Sequence, residues 1–132
     1  MLNEIKVGAK LLVASSVNQH NTALAMGSGS LEVFATPALC ALMEKAASNL
    51  LEGMLPVEQT SVGTALNIAH TAASPVGIKV WAEAEITAVD GRKVSFKLLA
   101  KDEVGEIGSG THERFLVAKD KFQMKANAKL PQ

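Results

Sequence analysis

The sequence predicts an α+β fold in which an antiparallel sheet of about five strands curls around one long central helix. Three observations lead there. Val33 to Gly53 holds a long apolar stretch with helix start signals at Thr36-Pro37 and a stop signal at Gly53. Ile78 to Val89 and Lys93 to Lys101 alternate apolar and polar residues with the period of two that marks half-buried strands. Asp90-Gly91 stands between those runs as a tight hairpin signal.

In chain order, Val7 to Val17 carries Leu11, Leu12, Val13 and Val17 without helical spacing and reads as a first strand. Asn18 to Asn21 turns the chain. Thr22 to Ser30, with Met26-Gly27-Ser28-Gly29-Ser30, has the composition of a loop crossing a pocket mouth. In the central helix Thr36 is the expected N-cap, Pro37 fits the first helical position, and Gly53 is expected to close the other end in a left-handed turn. Leu39, Cys40, Ala41, Leu42, Met43, Ala46, Ala47, Leu50 and Leu51 leave almost no polar face, so the helix is expected to be wrapped by the rest of the protein.

After a connector at Leu55 to Gln59, Thr60 to Ala73 reads as a strand with Val62, Thr64, Leu66, Ile68 and His70 on one side. Ser74-Pro75-Val76-Gly77 is a turn. The next strand points Ile78, Val80, Ala82, Ala84, Ile86 and Ala88 one way, and its hairpin partner does the same with Val94, Phe96, Leu98 and Ala100. Asp102 to Gly105 turns the chain into a last strand at Glu106 to Val117. Lys119, Lys121, Lys125 and Lys129 face only Asp120, which predicts a frayed basic tail. The expected division is one domain over residues 1–118 and the tail over 119–132. A curled sheet around one helix leaves an edge and a face to cover, which predicts at least a dimer.

The 132 residues suffice for one domain with a real core, and 13 basic against 13 acidic residues give no nucleic-acid footprint. Cys40 is a single cysteine, and the start Met-Leu-Asn-Glu-Ile-Lys lacks a signal-peptide core, so the cytoplasm is the expected compartment. No apolar run reaches the roughly 18 residues of a membrane span, so no membrane segment is expected.

Three polar groups fall where apolar ones belong: Thr36 at the helix start, Glu44 inside the helix, and His70 on the inward strand face. Such a set can supply a base, an orienter and a hydroxyl. Each also has an ordinary explanation. Local sequence favours Thr36 as a cap alone, and a lone inward histidine is more often a hydrogen-bonded core residue. Glu44 either needs a partner or turns with Lys45 toward a wet edge; the two readings stay open. Eight helical residues separate Thr36 from Glu44 by roughly 12 Å, too far for a direct bond along a straight helix. The segment folds back, a substrate lies between them, or a second subunit intervenes. Cys40 as a nucleophile with His70 as base has little support, since an apolar turn raises a thiol pKa. His20, His70 and His112 show no ligand spacing, so no metal is expected. Gly105 to Gly110 matches no phosphate loop.

Phe34-Ala35-Thr36, Leu42-Met43-Glu44, Ser61-Val62-Gly63-Thr64-Ala65 leading to His70-Thr71-Ala72-Ala73, and Ile107-Gly108-Ser109-Gly110-Thr111-His112-Glu113-Arg114 resemble, in order, the fluoroacetyl-CoA thioesterase branch of the hotdog-fold thioesterases. The resemblance runs from about Val7 to Phe122. It implies a hotdog fold, a homodimer and hydrolysis of an acyl-CoA thioester at the dimer interface, with no cofactor. It also implies that Thr36, Glu44 and His70 are catalytic and that Gly63 and Arg114 bind substrate. Glu44 would be nucleophile or base for water, Thr36 would hydrogen-bond it or the substrate, and His70 would orient water or handle the proton. Backbone N–H groups near Gly63 would steady the oxyanion.

One departure bears on specificity. The fluoroacetyl-specific enzyme has a longer loop before the helix, with aromatic residues forming a lid, whereas Thr22 to Glu32 is short and without an aromatic. A small or medium acyl-CoA is therefore the expected substrate. The polyanionic nucleotide end of coenzyme A would be attracted by Arg114 and the tail lysines. Against that, the tail is expected to be merely solvated, and Arg114 has the alternative of pairing with a glutamate such as Glu113. A non-catalytic hotdog module binding acyl-CoA or an acyl carrier is the second reading, which Thr36, Glu44 and His70 argue against. A hydratase is the third, with no aspartate near a histidine to support it.

Overall fold

The computed structural model of the chain describes residues 5–131. Strand β1 (Lys10–Ser16) is followed by a one-turn helix α1 (Ala23–Met26) and the long helix α2 (Thr36–Glu52). Then come β2 (Gln59–His70), β3 (Lys79–Asp90), β4 (Lys93–Asp102), β5 (Glu106–Ala118) and a terminal helix α3 (Lys119–Asn127). The strands form one antiparallel sheet in the order β1-β3-β4-β5-β2, the expected α+β class. Tight turns join β3, β4 and β5, but β2 does not pair with β3. It crosses to the far edge and lies beside β5.

The alternating strands follow their pattern except at Ala88, which is exposed because the β3–β4 register shifts between Ile86 and Ala88. Val80, Ala82, Ala84 and Ile86 of β3 and Val94, Phe96, Leu98 and Ala100 of β4 are all buried. At the hairpin Asp90 pairs with Lys93 and Gly91 takes φ 60, which places glycine at the strained first position of a two-residue turn. Against this surface α2 buries Leu39, Leu42, Met43, Ala46, Ala47, Leu50 and Leu51. Each large side chain among them contributes about 1.5–3 kcal/mol by leaving water.

Several local expectations change. Helix α2 is covered on one face only: Pro37, Ala41, Lys45 and Asn49 are exposed. Ala41 is the one alanine among those four outward residues, and the polar Lys45 and Asn49 beside it give the helix a wet side that its apolar composition hides. Ala35, not Thr36, is the N-cap residue, and no side chain caps the helix. Gly53 stays right-handed at φ −70, its N–H donating to the Asn49 carbonyl while Met54 N–H donates to that of Leu51. The loop at Thr22 to Ser30 contains α1, which Thr22 caps through Ala25 N–H at 3.1 Å and Gly27 closes at φ 73. Residues 119–127 are helical instead of frayed, though α3 buries none of its residues.

Strand β2 departs in a way that matters for the site. Gly63 faces Arg114 but Ala65 faces Glu113, so Thr64 is an extra residue that shifts the register. The bulge reverses the alternation at its own position. Ser61 and Gly63 therefore share the helix-facing side with Leu66, Ile68 and His70, while Val62 and Thr64 do not. Strict period-two counting cannot anticipate an inserted residue.

Candidate active site

Two clusters of polar side chains lie along the inner face of β2. The first joins the start of α2 to the end of β2. Thr36 Oγ1 and His70 Nδ1 share a hydrogen bond of 2.8 Å, which explains why the Thr36 hydroxyl caps nothing. The ring of Phe34 stands edge-on to His70, 6.5 Å between centroids. Burial pushes the His70 imidazole below its ordinary 6.5, against a weaker opposing pull from the Ala72 backbone. The ring is thus neutral at neutral pH. Its Nε2 is enclosed and has no hydrogen-bond partner among the described residues. A neutral imidazole joined to a hydroxyl, with its second nitrogen uncommitted, is equipped to pass a proton.

This pair opens on a cleft of about 260 Å³ lined by Ala23, Ser28, Phe34, Thr36, His70 and Ala72 among others. The loop at Thr22 to Ser30 does run along the cleft. It is pinned there by a bridge between Thr22 and Phe34 and by Phe34 N–H donating to the Ser74 carbonyl at 2.8 Å. Ser74 in turn donates to the buried carboxylate of Asp102 at 2.7 Å. Burial alone would raise the Asp102 pKa, but hydrogen bonds from Ser74, Val104 N–H and Gly105 N–H outweigh it and hold the group below 3.8.

The second cluster surrounds Glu44. Its side chain is 42% exposed, so it lies at an edge of the core and not within it. It does have a partner: Arg114 Nη1 donates to Glu44 Oε2 at 3.4 Å. Arg114 is itself buried, donating from Nε to Ser61 Oγ at 2.8 Å and from Nη2 to the Ser61 carbonyl at 3.1 Å. Burial lowers its pKa from the ordinary arginine value and the Glu44 carboxylate opposes that; the guanidinium remains cationic. Gly63 lies directly against Glu44 Oε2, where any Cβ would collide with it. The arginine thus pairs with a glutamate, Glu44 rather than Glu113.

The structure brings together Thr36 with His70, and Glu44 with Gly63 and Arg114. Within one chain no hydrogen bond among the described residues joins the two groups. Cys40 is not part of either, and burial followed by the nearby Glu44 charge raises its thiol pKa. Sequence reasoning missed His112, which is buried beside Arg114 with Nε2 3.2 Å from Nη1 and 3.9 Å from Glu44 Oε2. The spacing of His112 and Arg114, two residues apart on a strand, could have placed both on one face.

Comparisons with known proteins agree with this architecture. The family model for fluoroacetyl-CoA-specific thioesterases matches residues 17–120. The fluoroacetyl-CoA thioesterase of Streptantibioticus cattleyicolor is 44% identical over 100 residues, covering 76% of this chain and 72% of that one. A variant of the fluoroacetyl-CoA thioesterase, solved in complex with acetyl-CoA, superposes with a TM-score of 0.91 at 37% identity over 96% of this chain and all of the other. A thioesterase-superfamily protein of Thermus thermophilus shares the fold, with a TM-score of 0.88 at 22% identity over 96% of this chain and 94% of its own. The chain belongs to the family of fluoroacetyl-CoA-specific thioesterases, thioester hydrolases of the hotdog fold.

Proposed function

We propose that the protein hydrolyses a small or medium acyl-CoA thioester, not confined to fluoroacetyl-CoA, at a site shared between two copies of the chain. The observation that carries this reading is the placement of the two clusters at opposite ends of the helix-facing side of β2, an edge strand. An edge strand with unpaired N–H and C=O groups is a template for pairing. If β2 pairs antiparallel with its own copy about a two-fold axis near Leu66 and Asn67, Gly63 of one chain comes opposite His70 of the other. Glu44, which touches Gly63, would then approach Thr36 and His70 across the interface. This resolves the separation along α2 without bending the helix.

In such a site Glu44 attacks the thioester carbonyl or activates water for that attack. Thr36 and His70 hold the attacking water or the acyl oxygen and pass a proton to the departing thiolate. The N-terminus of α2 brings the positive end of its dipole to the cleft, where the oxyanion develops. The loop lining the cleft carries no aromatic between Thr22 and Glu32 and contributes Ala23 and Ser28 to the wall. That supports an acyl pocket without a fluorine-selective lid.

The test is thiol release from acetyl-, fluoroacetyl-, propionyl- and longer acyl-CoAs by wild type and by Glu44→Gln. Comparable kcat/KM for acetyl- and fluoroacetyl-CoA is expected, with roughly a hundredfold or greater loss in Glu44→Gln, the scale of a missing base or nucleophile. A strong preference for the fluorinated substrate would overturn the specificity. Near-normal turnover by Glu44→Gln would overturn the chemistry.

A further inference from the structure

The geometry points to His112 as a positioning residue for thioester hydrolysis, acting on Glu44 through Arg114. This rests on the proposal that Glu44 carries the chemistry. The bulge at Thr64 interrupts the β2–β5 ladder, and beside it His112 Nδ1 meets the Ala65 carbonyl at 2.7 Å. A carbonyl only accepts, so Nδ1 carries the proton and Nε2 is left as an acceptor. Arg114 Nη1 donates to that acceptor at 3.2 Å. The Phe96 ring packs against the imidazole, 5.7 Å between centroids, and fixes its plane.

The tautomer matters because a protonated Nε2 would push the guanidinium away. Burial and then the Arg114 charge hold the His112 imidazole below its ordinary 6.5, against the Ala65 hydrogen bond and the charges of Glu44 and Glu113. The neutral ring therefore persists where it is needed. His112 Nε2 lies 3.9 Å from Glu44 Oε2, beyond hydrogen-bond range, so its link to the carboxylate runs through Arg114.

Arg114 is accordingly fixed on two sides. Ser61 takes Nε and Nη2, His112 takes one direction of Nη1, and the remaining direction of Nη1 reaches Glu44. A buried guanidinium committed in this way has no free fork for a coenzyme A phosphate. Its effect belongs in kcat, through the orientation of Glu44, and not in KM.

The experiment compares His112→Asn with His112→Gln. Asparagine keeps a donor near the Nδ1 position and removes the acceptor at Nε2, whereas glutamine can place an oxygen near Nε2. His112→Asn is expected to lower kcat by about 10–100-fold with KM changed less than about twofold, and His112→Gln to recover most of the rate. In the Glu44→Gln background His112→Asn should add no further loss, since it acts through the group already removed. Wild-type kcat in His112→Asn, equal losses in both variants, or a raised KM at unchanged kcat would each overturn the proposal. So would a further loss in the double variant. If His112→Asn does not fold, Arg114→Lys provides the second route: lower kcat at constant KM supports the proposal, and raised KM at wild-type kcat overturns it. Full turnover by Glu44→Gln overturns the Glu44 assignment itself, and loss there beside an unaffected His112→Asn overturns this inference alone.

Discussion

The two ends of β2 hold their reactive groups in opposite ways. At His70 the arrangement is sparse: among the described residues the ring has one side-chain hydrogen bond, to an exposed threonine, and a nitrogen with no partner. At Glu44 it is dense, with a buried arginine tied to Ser61 and His112 and a glycine pressed against the carboxylate. Sparse wiring leaves bonds for a substrate or water to fill, while dense wiring fixes a charge before the substrate arrives. A proton carrier suits the first environment and a carboxylate the second. Substitutions at the two ends should therefore fail differently.

Outside the proposed reacting groups themselves, the largest effect is expected from Gly63→Ala. A Cβ there meets the flexible tip of Glu44, with His112 Cε1 at 3.2 Å and Arg114 Nη1 at 3.3 Å behind it. The carboxylate can swing away, so kcat should fall about a hundredfold while the melting temperature hardly moves. Gly110→Ala gives the contrast on the neighbouring strand. There the added carbon meets the Asn67 carbonyl and, at 2.8 Å, Ile68 Cα, which are backbone and cannot yield. About 1–3 kcal/mol of stability should be lost, seen in a denaturant titration. If Gly63→Ala unfolds the protein instead, the dense end is a structural core and not a prepared site.

At the sparse end Thr36→Val should lower kcat about tenfold and leave stability unchanged, because the hydroxyl bonds His70 and caps no helix N–H. Thr22→Ala is the control. Its hydroxyl does cap α1, so about 1 kcal/mol should be lost. A stability loss in Thr36→Val matching that in Thr22→Ala would return Thr36 to an ordinary cap.

The smallest effect is expected on varying pH. His112 and His70 are both held below their ordinary 6.5 by burial, so the unfolded chain binds protons that the folded chain resists. Their contribution to stability is complete above about pH 7 and shrinks as pH falls below about 6.5 toward the folded values. Asp102 has the same sign, with loss beginning only below about pH 4 because its folded pKa is held under 3.8. Melting temperature should decline modestly from pH 7.5 to 5.5 and less so in His112→Gln. A flat profile over that range would mean that His112 is not kept neutral by its surroundings.

The architecture was largely legible because alternation in Ile78 to Val89 and Lys93 to Lys101 reports directly on burial. Thr36, Glu44 and His70 stood out as polar groups in apolar settings, and the structure gives each a hydrogen-bond partner. What stayed hidden depends on backbone detail. The bulge at Thr64 decides that Ser61 and Gly63 face Glu44, and no residue type announces it. The crossing of β2 to the far edge depends on which strands pair, which periodicity does not carry. His112 has no ligand spacing and stands in the sequence as one residue of the Ile107 to Arg114 motif without a role of its own, because that role depends on Arg114 being buried beside it.

The central claim is that Glu44 of one copy works with Thr36 and His70 of another. Co-expression of Glu44→Gln with His70→Ala tests it most directly. Each variant alone is expected to be nearly inactive. In a mixed dimer with shared sites both defects fall in one site and the other is intact, so random pairing predicts about a quarter of wild-type activity. A mixture no more active than its two parents would contradict the shared site and place all three residues within a single chain.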